Sequence, residues 1–318
     1  MSTQWPAEAT DIIGGDLLAC FATTTPMGGT TLVPVCPFGM HDAAQGTVTL
    51  SSPVGMCGKL ARLVNNPRCA LAFFSRDHGL GSTTGFVLVQ GNAEPHREAT
   101  AEFTDEMHAA WPKFLPPIPE SGWKRRAGRA YYDWRVPVRI HVERLTYWAS
   151  PSATGEATVA GAAPPTTDPP AQDPPAKGTS TRVRASRWRK SFERSPHRLI
   201  GYVDADGYPV VVPVDATATD DGLEVAHPDL PAGGRRAGYF GFWFERQLAG
   251  QGGLLTTGWL DGADDGRGTY SIHTRTAFDL PRSLVSPKSL VPLGCGFEHR
   301  QAQRKGLVDG GVWLGGPA

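Results

Sequence analysis

Lys59 and Arg62 stand three residues apart, just after the small hydroxyl run Ser51-Ser52-Pro53 and ahead of Asn66-Pro67. At that spacing two cations share one polar face of a helix. Met56, Leu60, Leu63 and Val64 fall together on another face, so the stretch reads as one short amphipathic helix. Ser52 is its natural N-cap, Pro53 suits its first position, and Asn66-Pro67 stops it. Helical side chains lean toward the N-terminus, which aims Lys59 at the free amides beside Ser52. Amides, hydroxyls and an ammonium then converge on one anion-sized spot. Taken alone, such a lysine is more often a solvated charge on a surface helix.

Apolar strands must position this helix. Thr47 to Leu50 precedes it and Cys69 to Phe74 follows it, both rich in residues that suit a pleated sheet. The whole chain supports a β reading: 38 glycines and 28 prolines among 318 residues, with only 19% charged residues, describe short strands and many turns rather than a helical bundle. Lys+Arg and Asp+Glu both number 31, so no global field draws the chain to nucleic acid or an anionic membrane. No run approaches the roughly 18 apolar residues of a membrane span, and no basic leader opens the chain, so a cytoplasmic protein is expected. The five cysteines show no Cys-x-x-Cys pair and sit in apolar surroundings, as small buried hydrophobes do.

Positions 151–180 carry seven prolines and three glycines with no aromatic, leucine or isoleucine, and read as an extended linker between units 1–150 and 181–318. The two flanks are related. Sliding the chain by 179 positions lays Cys20 to Val35 over Leu199 to Val214 without a gap, with Gly28 over Gly207 and Val33-Pro34-Val35 over Val212-Pro213-Val214. Ala70 to Arg76 matches Phe240 to Arg246, and Phe86 to Glu94 matches Gly253 to Asp261, with Gly91 over Gly258. Val136 to Leu145 alternates as a half-buried strand, and Thr269 to Thr276 is its weaker partner. Each half therefore holds five or six strands. The second half departs at Ala226 to Gly238, where two prolines and glycines leave no room for a three-turn helix.

Lys59, Asn66-Pro67 and the apolar strand Cys69 to Phe74, in that order and spacing, resemble the flavin-binding split-barrel family typified by pyridoxamine 5'-phosphate oxidase. The resemblance covers roughly Leu17 to Trp148 and, more weakly, His197 to Ala277. It implies a mainly β fold, two tandem split β-barrels of Greek-key type with short peripheral helices, docked as a pseudo-dimer, with a homodimer also open. It further implies FMN, or a deazaflavin, between the barrels: the backbone of Val33, Pro34 and Val35 beside the ring, Leu50, Ser51 and Ser52 at the end of the third strand, and Lys59 on the phosphate. Cys57 and Gly58 stand where that family often has a hydroxyl and an arginine.

The function that follows is an oxidoreductase passing a hydride between the cofactor and a small planar substrate. The alternative is a non-enzymatic protein that stores or senses flavin or haem. Arg235, Arg236, Trp243 and Trp259 are candidates to line the pocket from the second half, although tryptophans more often pack cores. Tyr131, Tyr132 and His141 are weak candidates for a proton donor, and His41 and His78 for a haem ligand. The run from Arg182 to Arg194 reads as a solvated helix rather than a nucleic-acid site. The nine histidines show no metal spacing, and no metal is expected. The basic tail, Arg282, Lys288, Arg300, Arg304 and Lys305, would either fold over the pocket or solubilise the surface.

Overall fold

The computed structural model describes residues 4–74, 79–248, 250–280 and 291–315. Helix α1 (Ala7–Gly15) leads into the first sheet, β1 (Ala19–Thr24), β2 (Thr30–Val35), β3 (His41–Asp42), β4 (Thr47–Pro53), β5 (Arg68–Phe73), β6 (Phe86–Pro95), β7 (Arg135–Trp148) and β8 (Ala157–Gly161). Helix α2 (Cys57–Asn65) joins β4 to β5, and α3 (Ala101–Phe114), α4 (Gly122–Ala127) and α5 (Arg129–Tyr132) lie between β6 and β7. Short α6 (Arg189–Glu193) precedes the second sheet, β9 (His197–Val203), β10 (Pro209–Pro213), β11 (Asp215–Ala218), β12 (Leu223–Ala226), β13 (Gly233–Trp243), β14 (Gly252–Gly262) and β15 (Arg267–Asp279). Helix α7 (Val291–Arg304) and the hairpin β16 (Val308–Asp309) and β17 (Val312–Trp313) follow.

The first sheet runs β2-β1-β5-β6-β7-β4-β3, with β8 added on β7, and the second runs β10-β9-β13-β14-β15-β12-β11. Strand for strand the orders are the same. The registers agree as well: Cys20 faces Pro34 as Leu199 faces Pro213, at the spacing of 179 read from the sequence. The equivalent pairings β6–β7 and β14–β15 both break at a bulge, between Gln90 and Gly91 and between Thr257 and Gly258. One match needs correcting. Leu71 and Tyr239 occupy equivalent positions, so Ala72 rather than Ala70 corresponds to Phe240; a two-residue slip keeps the same side-chain parity and is invisible to an apolar pattern.

The strands read as apolar runs because many are buried on both faces. Phe21, Leu71 and Phe73 point into the first sheet's own core, while Cys20, Ala22, Ala70 and Ala72 point into a central core shared with Leu199, Val211, Phe240 and Phe242 of the second sheet. Ile200, Tyr202, Tyr239 and Leu254 fill a third core within the second sheet. The close approach of the sheets depends on two glycines. Thr30 Oγ1 donates to Gly201 O at 2.5 Å and accepts from Gly238 N at 3.0 Å, where a Cβ on Gly201 would lie 2.7 Å from Leu32. A buried polar link lies beside this contact: Arg144 meets Asp206 at 3.0 Å and Gln90 at 2.7 Å, and Gln90 reaches Pro209 O.

The proline-rich stretch is more ordered than an extended tether. Its β8 pairs with β7, because an edge strand needs backbone hydrogen bonds and not large side chains. Further along, Gln172 donates to Gly28 O and accepts from Arg236 N, which straps the stretch across both sheets. The run from Arg182 to Arg194 folds as a 3-10 turn and α6, burying Trp188 and Phe192, with Arg189 and Arg194 paired to Asp220 and Asp279. No helix of the described residues is long and apolar enough to cross a membrane.

Candidate functional site

The helix expected from Ser52 begins later. β4 continues through Ser52 and Pro53, a 3-10 turn takes Val54–Met56, and α2 runs from Cys57 to Asn65. Ser52 pairs with Val136 of β7, so its backbone is committed to the sheet and it does not cap the helix; Met56 stands at the N-cap position with no side-chain bond. Asn66 ends the helix where the sequence puts the stop, but only half of the expected apolar face is buried: Leu60 and Leu63 go in, with Cys57 and Ala61, whereas Met56, ahead of the helix, and Val64 are exposed.

Lys59 is half-buried, and burial is the first cause that brings its pKa down to about 8, with the neighbouring Arg135 guanidinium second. Arg135, at the start of β7, is only 8% exposed. Its Nε donates to Ser51 Oγ at 2.6 Å, Nη2 to Ser51 O at 3.0 Å and Nη1 to Tyr131 O at 2.9 Å. The guanidinium also lies 5.6 Å from the centre of the Trp111 ring and 5.5 Å from that of Tyr131. Arg62, one turn beyond Lys59, has a buried Nε without a hydrogen-bond partner.

These cations lack counter-charge close by. Among the described residues, no carboxylate lies within ion-pair distance of Lys59, Arg62 or Arg135. The neighbouring thiols and phenol stay neutral: burial pushes the Cys36 thiol up to about 12 and Cys295 up to about 11, and raises the Tyr131 phenol well above its ordinary range. A site with two or three desolvated cations and neutral thiols and phenol is suited to an anion.

Sequence-predicted residues divide into those the fold gathers and those it does not. Val35 is buried beside Leu50, Cys57 and Leu60 in one core, with Val33 packed against it, and Cys36 just after Val35 comes within electrostatic reach of Arg135. Pro34, like Val33, is partly buried on β2. The hydroxyls behave differently from expectation: Ser51 Oγ accepts from Arg135 and donates to Met107 Sδ at 2.9 Å, and Ser52 Oγ donates to Pro53 O. Both are turned into the protein. Tyr131 lies against Arg135, whereas His41 and His141 line a separate cleft of about 590 Å³, His41 bonded to Gly39 O and His141 to Glu94.

The second-half candidates serve packing. Arg235 donates to Pro169 O and Ala232 O, Arg236 lies over Trp259, and Arg194 lies over Trp243. His78, Arg282 and Lys288 fall outside the described residues.

Sequence reasoning missed Arg135 and the full part played by the tail. Arg135 heads an apolar strand, and nothing in its spacing separates it from the exposed Arg139 four residues on. The tail does fold back: α7 packs on the 3-10 turn and on α5, so closely that a Cβ on Gly55 would lie 2.9 Å from His299 N. His299 stacks on Trp134 at 4.4 Å and bonds Gly310 O, while Ala302, Leu307, Val308 and Trp313 join the first sheet's core. Glu298, one residue before His299, reaches Lys59 electrostatically.

No family profile matches the chain, and no curated protein matches it. Solved structures do. The chain is similar to a Clostridium acetobutylicum protein related to general stress protein 26 of B. subtilis, described as of the pyridoxinephosphate oxidase family, with 12% identity over 48% of this chain and 90% of that one and a TM-score of 0.33. A conserved hypothetical protein from Mycobacterium tuberculosis matches 48% of this chain and 90% of its own at 18% identity and a TM-score of 0.34. An FAD-binding protein from Mesorhizobium loti matches 50% and 97% at 17% identity and a TM-score of 0.31. Each covers about half of this chain.

Proposed function

We propose that the first half binds the phosphate of FMN or a deazaflavin at Lys59 and Arg135, and that the chain is an oxidoreductase passing a hydride between that cofactor and a small planar substrate. The observation that carries this reading is the cluster of desolvated cations with no carboxylate in ion-pair contact. The residues fit a phosphate: Lys59 supplies a charge-assisted donor, Arg135 fixes the end of β4 and adds positive potential, and Arg62 has a free buried donor. Ser51 and Ser52 do not add donors, their hydroxyls being engaged elsewhere. The order of Lys59, Asn66-Pro67 and β5, together with the placing of Val33, Pro34 and Val35 at the junction with the second sheet, supports a flavin-type ring at that junction.

When bound, the cofactor would supply the redox chemistry, and the protein would supply position and electrostatics. In this reading the second sheet takes the place of a partner barrel, giving one pocket per chain, with a homodimer open. The competing reading, a binder that stores or senses the ligand, is favoured by Tyr131: burial keeps it a phenol packed on Arg135, a poor proton relay. Absorption spectra of the purified protein, followed by titration with FMN and with a deazaflavin, separate these outcomes. Binding with turnover of a reduced cofactor supports the oxidoreductase, binding without turnover the storage role, and no uptake of either sinks both.

A further inference from the structure

We propose that the cleft between α3 and the β3–β4–β7 side of the first sheet is a second ligand site, which takes a short aliphatic diamine. The cleft encloses about 590 Å³, and neither Lys59 nor Arg135 lines it, so it stands independently of the phosphate reading. It exists because the first half inserts α3, α4 and α5 between β6 and β7, where the second half joins β14 to β15 directly through 263–266. Thr100 caps α3 by accepting from Phe103 N at 3.1 Å, and Phe103, Met107, Trp111 and Phe114 are buried in the core that the two sheets share. Glu102 and Glu106 each precede one of these anchors, so both line the cleft from a helix that packing holds in place.

The open groups of this cleft are acceptors. Glu102, Glu106 and, from β3, Asp42 are carboxylates that form no ion pair with any described residue. Asp42 spends Oδ1 on the Ala44 and Gln45 amides and keeps its other oxygen. Glu102 and Glu106 stand one helical turn apart, a like-charge spacing that weakens a helix until a cation answers it. His41 donates from Nδ1 to Gly39 O, which leaves Nε2 of the neutral ring as an acceptor. His96, also in the lining, has its Nε2 shut off from solvent with no hydrogen-bond partner among the described residues, a group that a polar ligand would satisfy. Arg139 is the one lysine or arginine lining the cleft, and it stands across from Glu94, whose carboxylate also meets His141 at 3.1 Å. Three carboxylates on two separate elements are thus left without a counter-charge. Two linked ammonium groups fit that set, one at Glu102 and Glu106 and the other at Asp42, whereas an anion is repelled.

The test is calorimetric titration of the full chain with 1,4-diaminobutane, against n-butylamine and 1,4-butanediol. The diamine is expected to bind more tightly than the monoamine, and the diol not at all. Glu102→Gln with Glu106→Gln should weaken the diamine about tenfold, roughly threefold for each partly exposed pair. Asp42→Asn keeps an oxygen for the Ala44 and Gln45 amides and removes the charge, so it should bring the diamine down to the affinity of butylamine and leave butylamine itself unmoved. Glu224→Gln, on the open polar face of the second sheet, is the control and should change nothing. No diamine binding, equal affinity for diamine and monoamine, or an equal loss in Glu224→Gln overturns the site. Lys59→Ala should leave the diamine unaffected, which keeps this result separate from the fate of the phosphate reading.

Discussion

Between β4 and β5 the first sheet inserts a 3-10 turn and α2, while the corresponding passage of the second sheet, from β12 to β13, crosses directly through His227-Pro228-Asp229-Leu230-Pro231-Ala232. In that short loop the His227 ring bonds Ser152 O and the Asp229 amide, and Leu230 is buried, so its polar and apolar groups are already satisfied. The longer passage leaves Lys59 and Arg62 desolvated, with no carboxylate in ion-pair contact among the described residues. Two sheets of the same strand order thus do different work. One closes its loops on itself, and the other holds positive charge next to the turn on which α7 packs.

If the sheets are equivalent where strand order and bulge say they are, they should break equally there. A Cβ on Gly91 would lie 2.1 Å from His141 O, and one on Gly258 would lie 2.0 Å from Ser271 O. Gly91→Ala and Gly258→Ala are each expected to cost about 3 kcal/mol, the upper end for overpacking, because backbone carbonyls cannot swing aside. Urea denaturation of both variants measures this. A loss at one glycine and tolerance at the other would end the equivalence.

Next in size is the link between the halves. Arg144 is 4% exposed and pairs with Asp206 from the β9–β10 turn. Asp206→Asn leaves that guanidinium without its counter-charge, at an expected cost of about 2 kcal/mol after discounting for the partly open Asp206. Because the sheets share the core of Cys20, Ala22, Leu199 and Phe240, the variant should still unfold in one transition. Two separated transitions would show the halves to be energetically independent.

The asymmetry itself is sharpened by ligand binding. Lys59→Ala should weaken FMN by about 1 to 3 kcal/mol, the range for a charge-assisted hydrogen bond, as read by titration calorimetry. His227→Ala, in the equivalent passage of the second sheet, should leave FMN affinity unchanged. An effect of His227→Ala equal to that of Lys59→Ala would move the site or double it.

Much of this was legible because repeated apolar runs and turn glycines leave a strong pattern. Gly28 and Gly207, at φ of 75° and 82°, close the same tight turn that their sequence neighbours announce. The Lys59 helix was legible from Leu60 and Leu63, which are buried, although Met56 and Val64 of the expected apolar face are exposed. Its start was not, because Ser52 and Pro53 satisfy the rules for a helix start and for a strand end alike, and pairing with β7 decides between them. Arg135 and Glu298 were hidden for another reason. They lie 76 and 239 positions from Lys59, and only the pairing of β7 with β4 and the packing of α7 on the Val54–Met56 turn bring them near it.

The smallest expected effect concerns acidity. Lys59 has its pKa brought down from the ordinary 10.5 to about 8 by burial, with Arg135 adding to it. Below pH 8 both native and unfolded chains hold the proton, and the buried charge is a constant penalty. Between about pH 8 and 10.5 the native lysine releases its proton while the unfolded one keeps it, so the unfolded state binds more protons and stability rises with pH. Cys295 and Cys36 titrate at about 11 and 12, above most of that window. Denaturation midpoints at pH 7.5 to 10 should therefore climb more steeply in the parent protein than in Lys59→Met. A bound phosphate holds the proton on Lys59, so saturating FMN should flatten the difference. Parallel curves for the two proteins without ligand would mean that Lys59 is solvated, and the first sheet would then keep no more free charge than the second.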